Sequence, residues 1–310
     1  MTAVQLIRSN SNPIIKSRAK LAWESKGTFN PAAILDNGII RILYRAVGAQ
    51  NISSLGYAES VDGENVTTRP AEPVISPSTV WEELGCEDPR ITTINGRHYI
   101  LYTAFSNNGP RIALASTTDF RHYDSYGLVG PNVNDKDCAM FPQLIDGKLA
   151  VLHRIEPSIE LALFDDVEQL KASKQYWKGY MKRVEENTIM RPLGGWEKRK
   201  IGVGPPPIQT KSGWLVIYHG VDNQMIYRAG AALLDFENPR RIIARLPEPI
   251  LEPTEPYERE GTVPNVVFPS GAVITGDMLR IFYGAADRVC CAASISTKTM
   301  LEALENNGQQ

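Results

Sequence analysis

The chain has 310 residues, 43% hydrophobic and 22% charged, with a formal net charge of −2. That is a globular composition with ample core, and it provides no global field for nucleic acid or an acidic membrane. No apolar run approaches the roughly 20 residues needed to span a bilayer. The stretch Met1 to Arg8 has neither the basic start nor the apolar run of a secretory leader, so a cytoplasmic protein is expected. Cys86, Cys138, Cys290 and Cys291 form no C-x-x-C pair, which argues against a zinc ribbon or a thioredoxin-like site. Adjacent Cys290 and Cys291 lie in an apolar run and read as core thiols.

Taken in chain order, one unit recurs five times. A polar or proline-bearing segment leads into an apolar strand, a glycine turn follows, and a second apolar strand ends on an aromatic or polar residue. The second strands are Arg41–Tyr44, Tyr99–Tyr102, Leu149–His153, Trp214–Tyr218 and Leu279–Tyr283. The turns before them are Asn37-Gly38, Asn95-Gly96, Asp146-Gly147, Ser212-Gly213 and Gly276-Asp277. Glycine supplies the positive φ of a tight hairpin turn. Each interval holds about four strands of ordinary length, the content of one propeller blade. The pattern predicts an all-β, five-bladed β-propeller with a central pocket. It forms a single domain over 1–310 with short N- and C-terminal extensions. Only 165–177 and 296–304 read as helices, and 246–256 reads as a connection between blades.

Blade-equivalent positions converge on a propeller axis, so polar residues at these points are the candidates for chemistry. They are Asn30, Arg45, the run Glu87-Asp88-Pro89-Arg90, Lys136-Asp137, His153-Arg154, Lys200, His219, Glu258, Glu260 and Asp287. Lysine, arginine and aspartate are almost never fully buried unless paired. Several cations with few carboxylates read as a pocket for an anion, and phosphate is the obvious small one.

At these residues the sequence resembles the inverting β-mannoside phosphorylases of glycoside hydrolase family 130. The resemblance runs from Phe29-Asn30 to Ala293. It is carried by Leu43-Tyr44-Arg45, Glu87-Asp88-Pro89-Arg90, Phe141-Pro142, His153-Arg154, the run from Gly202 to Pro207, the run from Gly213 to Gly220, the run from Tyr227 to Asp235, Tyr257-Glu258 and the run from Tyr283 to Asp287. It implies a five-bladed propeller. It also implies Asp88 as general acid, with a raised pKa so that it carries a proton. Asn30, Arg45, Arg90 and Asp287 match the substrate-binding residues, and Lys136, Arg154, Lys200, His219 and Tyr227 the phosphate-binding set. The implied reaction is reversible phosphorolysis of a β-1,2- or β-1,4-linked mannoside to α-mannose 1-phosphate plus the released sugar. The partners are the mannoside and inorganic phosphate as co-substrate, with no other cofactor, no metal, no nucleic acid and no membrane. Oligomeric state is left open, a homo-oligomer included.

Each residue also has a plainer reading. Asp88-Pro89-Arg90 alone is a turn with an ion pair, and a lone His219 is a core histidine. Lys200 belongs to the run Glu197–Lys200, usually a solvated face, with Lys198 as its alternative. Gly202-Val203-Gly204 is followed by three prolines and is no dinucleotide loop. His98 and His122 read as surface residues, and Trp23, Trp81 and Trp196 as sugar platforms or core. Two other functions compete: hydrolysis on the same fold, with Glu258 or Glu260 activating water, and sugar binding without catalysis.

Overall fold

In a computed structural model, which describes residues 4–307, the chain is predominantly β. Every described strand falls into one of five antiparallel units. The first comprises Gly27–Asp36, Ile39–Val47, Ser53–Ser60 and Val66–Thr68. The second comprises Gly85–Ile94, Arg97–Ser106, Gly109–Thr117 and Asp124–Leu128. A single parallel bridge, Ser53 to Gly85, joins the two. The third is Lys136–Met140, Leu149–Arg154, Ile159–Phe164 and Thr188–Met190. The fourth is Gly213–Val221, Tyr227–Leu234 and Ile242–Arg245, with Lys200–Val203 and Ile208–Thr210 both paired along Gly213–Val221. The fifth is Val267–Thr275, Met278–Ala285 and Val289–Ser296, completed by Ile7–Arg8 from the other end of the chain. Among the described residues no helix is long and apolar enough to cross a membrane.

The expected turns are present. Asn37-Gly38, Asn95-Gly96 and Asp146-Gly147 each put two consecutive residues at positive φ, the requirement of a type I′ hairpin. Alternation along each strand then sends side chains to both faces, and the units pack face to face. Leu43 meets Ile100, Leu114 meets Val151, Leu152 meets Val216, and Ile217 meets Ile281 in successive apolar clusters. A fifth cluster joins Ile42 to Phe282, so the last unit packs back on the first. Cys290 and Cys291 point into different clusters of this series.

A second repeat was not foreseen. In four of the five units the tyrosine ending the second strand donates its hydroxyl to a buried glutamate from a neighbouring connection. The pairs are Tyr44 to Glu24 at 2.9 Å, Tyr102 to Glu82 at 2.6 Å, Tyr218 to Glu197 at 2.9 Å and Tyr283 to Glu258 at 2.8 Å. Arg69, Arg245 and Arg8 add their guanidinium groups to three of these glutamates. Glu258 is therefore a buried anchor, whereas Glu260 is exposed. In the third unit His153 occupies the register position of Tyr44 and Tyr102. Its partners are Asp135 and Tyr180.

Tyr180 belongs to a helical insertion longer than expected. Instead of one helix over 165–177 there are Val167–Lys171, capped by Asp166, then Lys174–Tyr180, a 3-10 turn Met181–Arg183 and Val184–Asn187. The C-terminal helix is Thr297–Asn307, with Met300, Leu301 and Leu304 buried. His98 corrects the surface reading. It is buried against Phe120 and shares a hydrogen bond with Thr93, while His122 is exposed. Trp196 lies over Tyr218, and a side chain at Gly220 or Gly230 would collide with it, so it packs rather than forming a free platform.

Candidate active site

Three inner strands break register at the same place, between Phe29 and Ala32, Glu87 and Arg90, and Lys136 and Ala139. Each bulge holds a left-handed residue: Asn30 at φ 49°, Asp88 at φ 50° and Asp137 at φ 56°. Asparagine and aspartate tolerate this region best among residues with a side chain. Such conformations still cost about 1–3 kcal/mol each and cluster at functional sites. Bulges re-aim side chains, and here they bring three polar groups together. In the fifth unit Asp287 is also left-handed, at φ 50°.

Asn30 Nδ2 donates to Asp88 Oδ1 at 2.7 Å. Lys136 Nζ lies 3.5 Å from Asp88 Oδ2, and Arg45 Nη1 lies 3.5 Å from Oδ1. Arg45 also binds Glu87 Oε1 at 2.6 Å and lies over the Phe29 ring. Burial raises the Asp88 pKa, but Arg45, Lys136, Asn30 and Arg90 outweigh it, and the carboxyl ends below its ordinary value. The expectation of a raised pKa on Asp88 is thus reversed in the free protein. Asp287 goes the other way, to about 6, through burial and the nearby Asp88 and Glu87 charges, although Arg45 and Lys136 pull it down. Burial likewise raises Glu87.

The remaining cations gather beside this group. Arg154 Nε is 3.1 Å from Asp137 Oδ2, and Lys200 Nζ is 3.3 Å from Glu156. Burial, then Arg154, lowers the Lys200 pKa, with Glu156 opposing. Lys198 is exposed. His219 is fully buried, packed on Phe268 at 4.5 Å and near Tyr227 at 5.9 Å. Burial takes its pKa down to about 3 against the pull of Asp137, with Arg154, Arg90 and Lys200 adding to the decrease, so the ring is neutral. Burial raises Tyr227, with Arg154 and Lys136 opposing.

Arg90, expected among the sugar ligands, is placed in the structure as a brace. It is 1% exposed, and its guanidinium donates to the carbonyls of Gly204, Asp88 and Val203 at 2.6, 2.9 and 2.9 Å. It holds the Asp88 bulge of the second unit against the fourth. The expectation of few carboxylates also gives way, since Glu87, Asp137, Glu156 and Asp287 all enter the cluster. Glu87 and Asp137 stood in the candidate runs without a role, and nothing marked Glu156. Their signal was adjacency, because Glu87 and Asp137 flank Asp88 and Lys136.

A buried carboxyl and an amide beside a bank of cations, carried on antiparallel sheets, form a site equipped to hold an anion. Residues 9–306 match the glycoside hydrolase 130 family, described as beta-1,4-mannooligosaccharide phosphorylase, and the chain belongs to that family. It is 39% identical to a 1,2-beta-oligomannan phosphorylase of Thermoanaerobacter sp. (strain X514), over 95% of this chain and 98% of the relative. It is 38% identical to a beta-1,2-mannobiose phosphorylase of the same strain, over 91% and 94%. Among solved structures it is similar to beta-1,2-mannobiose phosphorylase from Listeria innocua in complex with beta-1,2-mannobiose. There the TM-score is 0.84 and the identity 26%, covering 97% of this chain and 99% of that one.

Proposed function

We propose that the chain is an inverting β-mannoside phosphorylase acting on a β-1,2-linked mannooligosaccharide, with α-mannose 1-phosphate as product. The observation that carries this reading is the convergence of Lys136, Arg154, Lys200 and His219 beside Asp88. The β-1,2 linkage is favoured by the relatives at 39% and 38% identity. The β-1,4-mannooligosaccharide phosphorylase of Ruminococcus albus is 33% identical over 68% of this chain. We also infer that the five units are the blades of one single-domain β-propeller, closed by Ile7–Arg8. This is supported by the five inter-unit clusters.

In this mechanism Asn30, Arg45 and Asp287 hold the mannosyl ring and Asp88 supplies the proton for the departing sugar. Phosphate attacks the anomeric carbon from the opposite face. An inverting hydrolase needs a second carboxylate to activate water. Phosphate is already anionic, so the protein's task is to position it and screen its charge. Asp88 then needs its proton, which its cations oppose in the free protein. A charge pair at 4 Å and an effective dielectric of 20 is worth about 4 kcal/mol, or about three pKa units. A phosphate that draws Lys136 to itself releases much of that hold, so anion binding itself loads the acid.

Hydrolysis is the competing reading, and one similar structure is described as belonging to a family that contains glycoside hydrolases targeting beta-1,2 mannosidic linkages. The anchored Glu258 and exposed Glu260 weigh against it. The test is incubation with β-1,2- and β-1,4-mannobiose, with and without inorganic phosphate. Mannose 1-phosphate formed only with phosphate is expected. Free mannose released without phosphate would make the chain a hydrolase, and no turnover would leave a sugar-binding protein.

A further inference from the structure

Asp137 lies against three basic side chains of the site, Arg154, His219 and Arg90. Its side chain is wholly inaccessible. Oδ2 lies 3.1 Å from Arg154 Nε and 3.8 Å from His219 Nε2, and Oδ1 lies 3.5 Å from Arg90 Nη2. A buried carboxylate survives only when such partners offset its desolvation. Burial raises its pKa, but the positive charges of Arg154, Lys136 and Arg90 outweigh it, and the carboxyl ends below its ordinary value.

The local sequence explains the arrangement. Asp135, Lys136 and Asp137 are consecutive, and Lys136 pairs in register with Arg154 on the next strand. Asp135 Oδ1 accepts the Arg154 backbone N–H at 3.2 Å, and Asp135 Oδ2 shares a hydrogen bond with His153 Nδ1 at 2.9 Å. Arg154 is thus hydrogen-bonded at its backbone to one carboxylate and ion-paired at its guanidinium with the other. With Nε turned to Asp137, Nη1 lies 4.0 Å from Glu156, the residue that also binds Lys200. The guanidinium therefore runs from Asp137 towards the second cation. Space for this contact is made by Gly202, where a Cβ would sit 2.4 Å from the His219 ring and 2.8 Å from Asp137 Oδ2.

We propose that Asp137 is a positioning residue of the phosphate subsite, pairing with Arg154 from behind and lying against His219, and so setting the affinity for phosphate without touching the mannoside. This rests on the phosphorylase reading. The alternative is that a carboxylate so near an anion site merely repels the anion. The two make opposite predictions for its neutralisation.

The experiment is Asp137→Asn, which keeps the volume and removes the charge, with initial rates measured while phosphate and β-1,2-mannobiose are varied independently. A lost charge-assisted contact is expected to raise the KM for phosphate about tenfold or more. The KM for mannobiose should change much less than the KM for phosphate, since Asp137 reaches the sugar side only through Arg90, whose bonds to the carbonyls of Gly204, Asp88 and Val203 remain. An unchanged or lowered KM for phosphate in a folded variant overturns the proposal. Should Asp137→Asn fail to fold, Gly202→Ala crowds the same pair while leaving both residues in place, and an unchanged phosphate KM there overturns it equally. Wild-type protein that releases mannose without phosphate would remove the functional reading and this proposal together. Phosphate-dependent wild type with an indifferent Asp137→Asn removes this proposal alone.

Discussion

Asn30 and Asp88 face each other from the bulges of adjacent units, both at left-handed φ, with the Asn30 amide donating to the Asp88 carboxylate at 2.7 Å. Two strained residues in direct contact fix the acid's position before any substrate arrives. Removing the acid itself should therefore cost chemistry, not folding. Asp88→Asn is expected to lower kcat for phosphorolysis by about 10³-fold, within the usual range for a general acid, with a melting temperature close to wild type. A mannoside with a good leaving group should recover much of the loss, because its departure needs no proton. Equal loss on both substrates would deprive Asp88 of the acid's role.

The electrostatics of Asp88 lead to a signed pH effect. Lys136 and Arg45 hold it below its ordinary value, and kcat must fall as pH rises through the acid's pKa in the complex. Lys136→Gln removes one of these cations. That variant should move the alkaline limb of kcat/KM, which reports the free enzyme, upward by about one pH unit or more, and the limb of kcat less, because bound phosphate already draws Lys136 from Asp88, while weakening phosphate binding. A kcat/KM limb that stays in place or moves down would show that Lys136 does not govern Asp88.

His219 titrates near 3 because burial dominates its surroundings, so it meets phosphate as a neutral ring throughout the working range. His219→Gln is expected to raise the KM for phosphate about tenfold, a loss of about 1.4 kcal/mol. It should leave the shape of the pH profile between 5.5 and 8 as in wild type. Disappearance of a limb near 6.5 (the ordinary histidine pKa) in the variant would mean that the ring is charged after all.

Much of the architecture was legible because it follows local rules. Asn37-Gly38 and Asn95-Gly96 name their turns, and Tyr44, Tyr102, Tyr218 and Tyr283 end equivalent strands. The glutamates that receive those tyrosines were not legible, since Glu24, Glu82, Glu197 and Glu258 lie in irregular connections that share no motif. Positions were likewise easier than charge states. Asp88 was found from its motif, but its pKa depends on Arg45 and Lys136, which reach it only after two other units have packed. Arg90 sits two residues from the acid and reads as a ligand. Only the carbonyls of Val203 and Gly204, more than a hundred residues away, reveal it as a brace.

Glu258 separates structure from catalysis. It binds Arg8 at 2.9 Å, accepts from Tyr283 and takes the backbone N–H groups of Thr254 and Glu255. Through Arg8 it ties the strand Ile7–Arg8 to the fifth unit. Glu258→Ala leaves these groups unpaired and should destabilise the fold by about 3 kcal/mol, read as a lower denaturation midpoint. Turnover per folded molecule should stay within about twofold of wild type, since the residue lies outside the cluster around Asp88. Collapse of turnover at full stability would reinstate Glu258 as a catalytic base.

Glu160 should impose a pH dependence on stability. It is buried beside His153, and burial raises its pKa to about 7, although His153 and the Ile155 N–H pull it down. Its ordinary value is 4.5. Between those values the folded chain holds a proton that the unfolded chain has released. Stability therefore falls as pH rises through this window and is flat on either side. The full difference corresponds to about 3 kcal/mol. His153, whose pKa is also raised despite the opposing effect of burial, by Asp135 above all, loses stability in the same direction, so the wild-type slope contains both. Glu160→Gln preserves an acceptor for Ile155, removes the carboxyl's share and lessens that of His153, whose pKa Glu160 helps to raise. Urea denaturation at pH 5 and pH 8 should give a smaller difference for the variant than for wild type, with the gain concentrated at pH 8. Identical differences for the two proteins would mean that Glu160 ionises at its ordinary value in the fold.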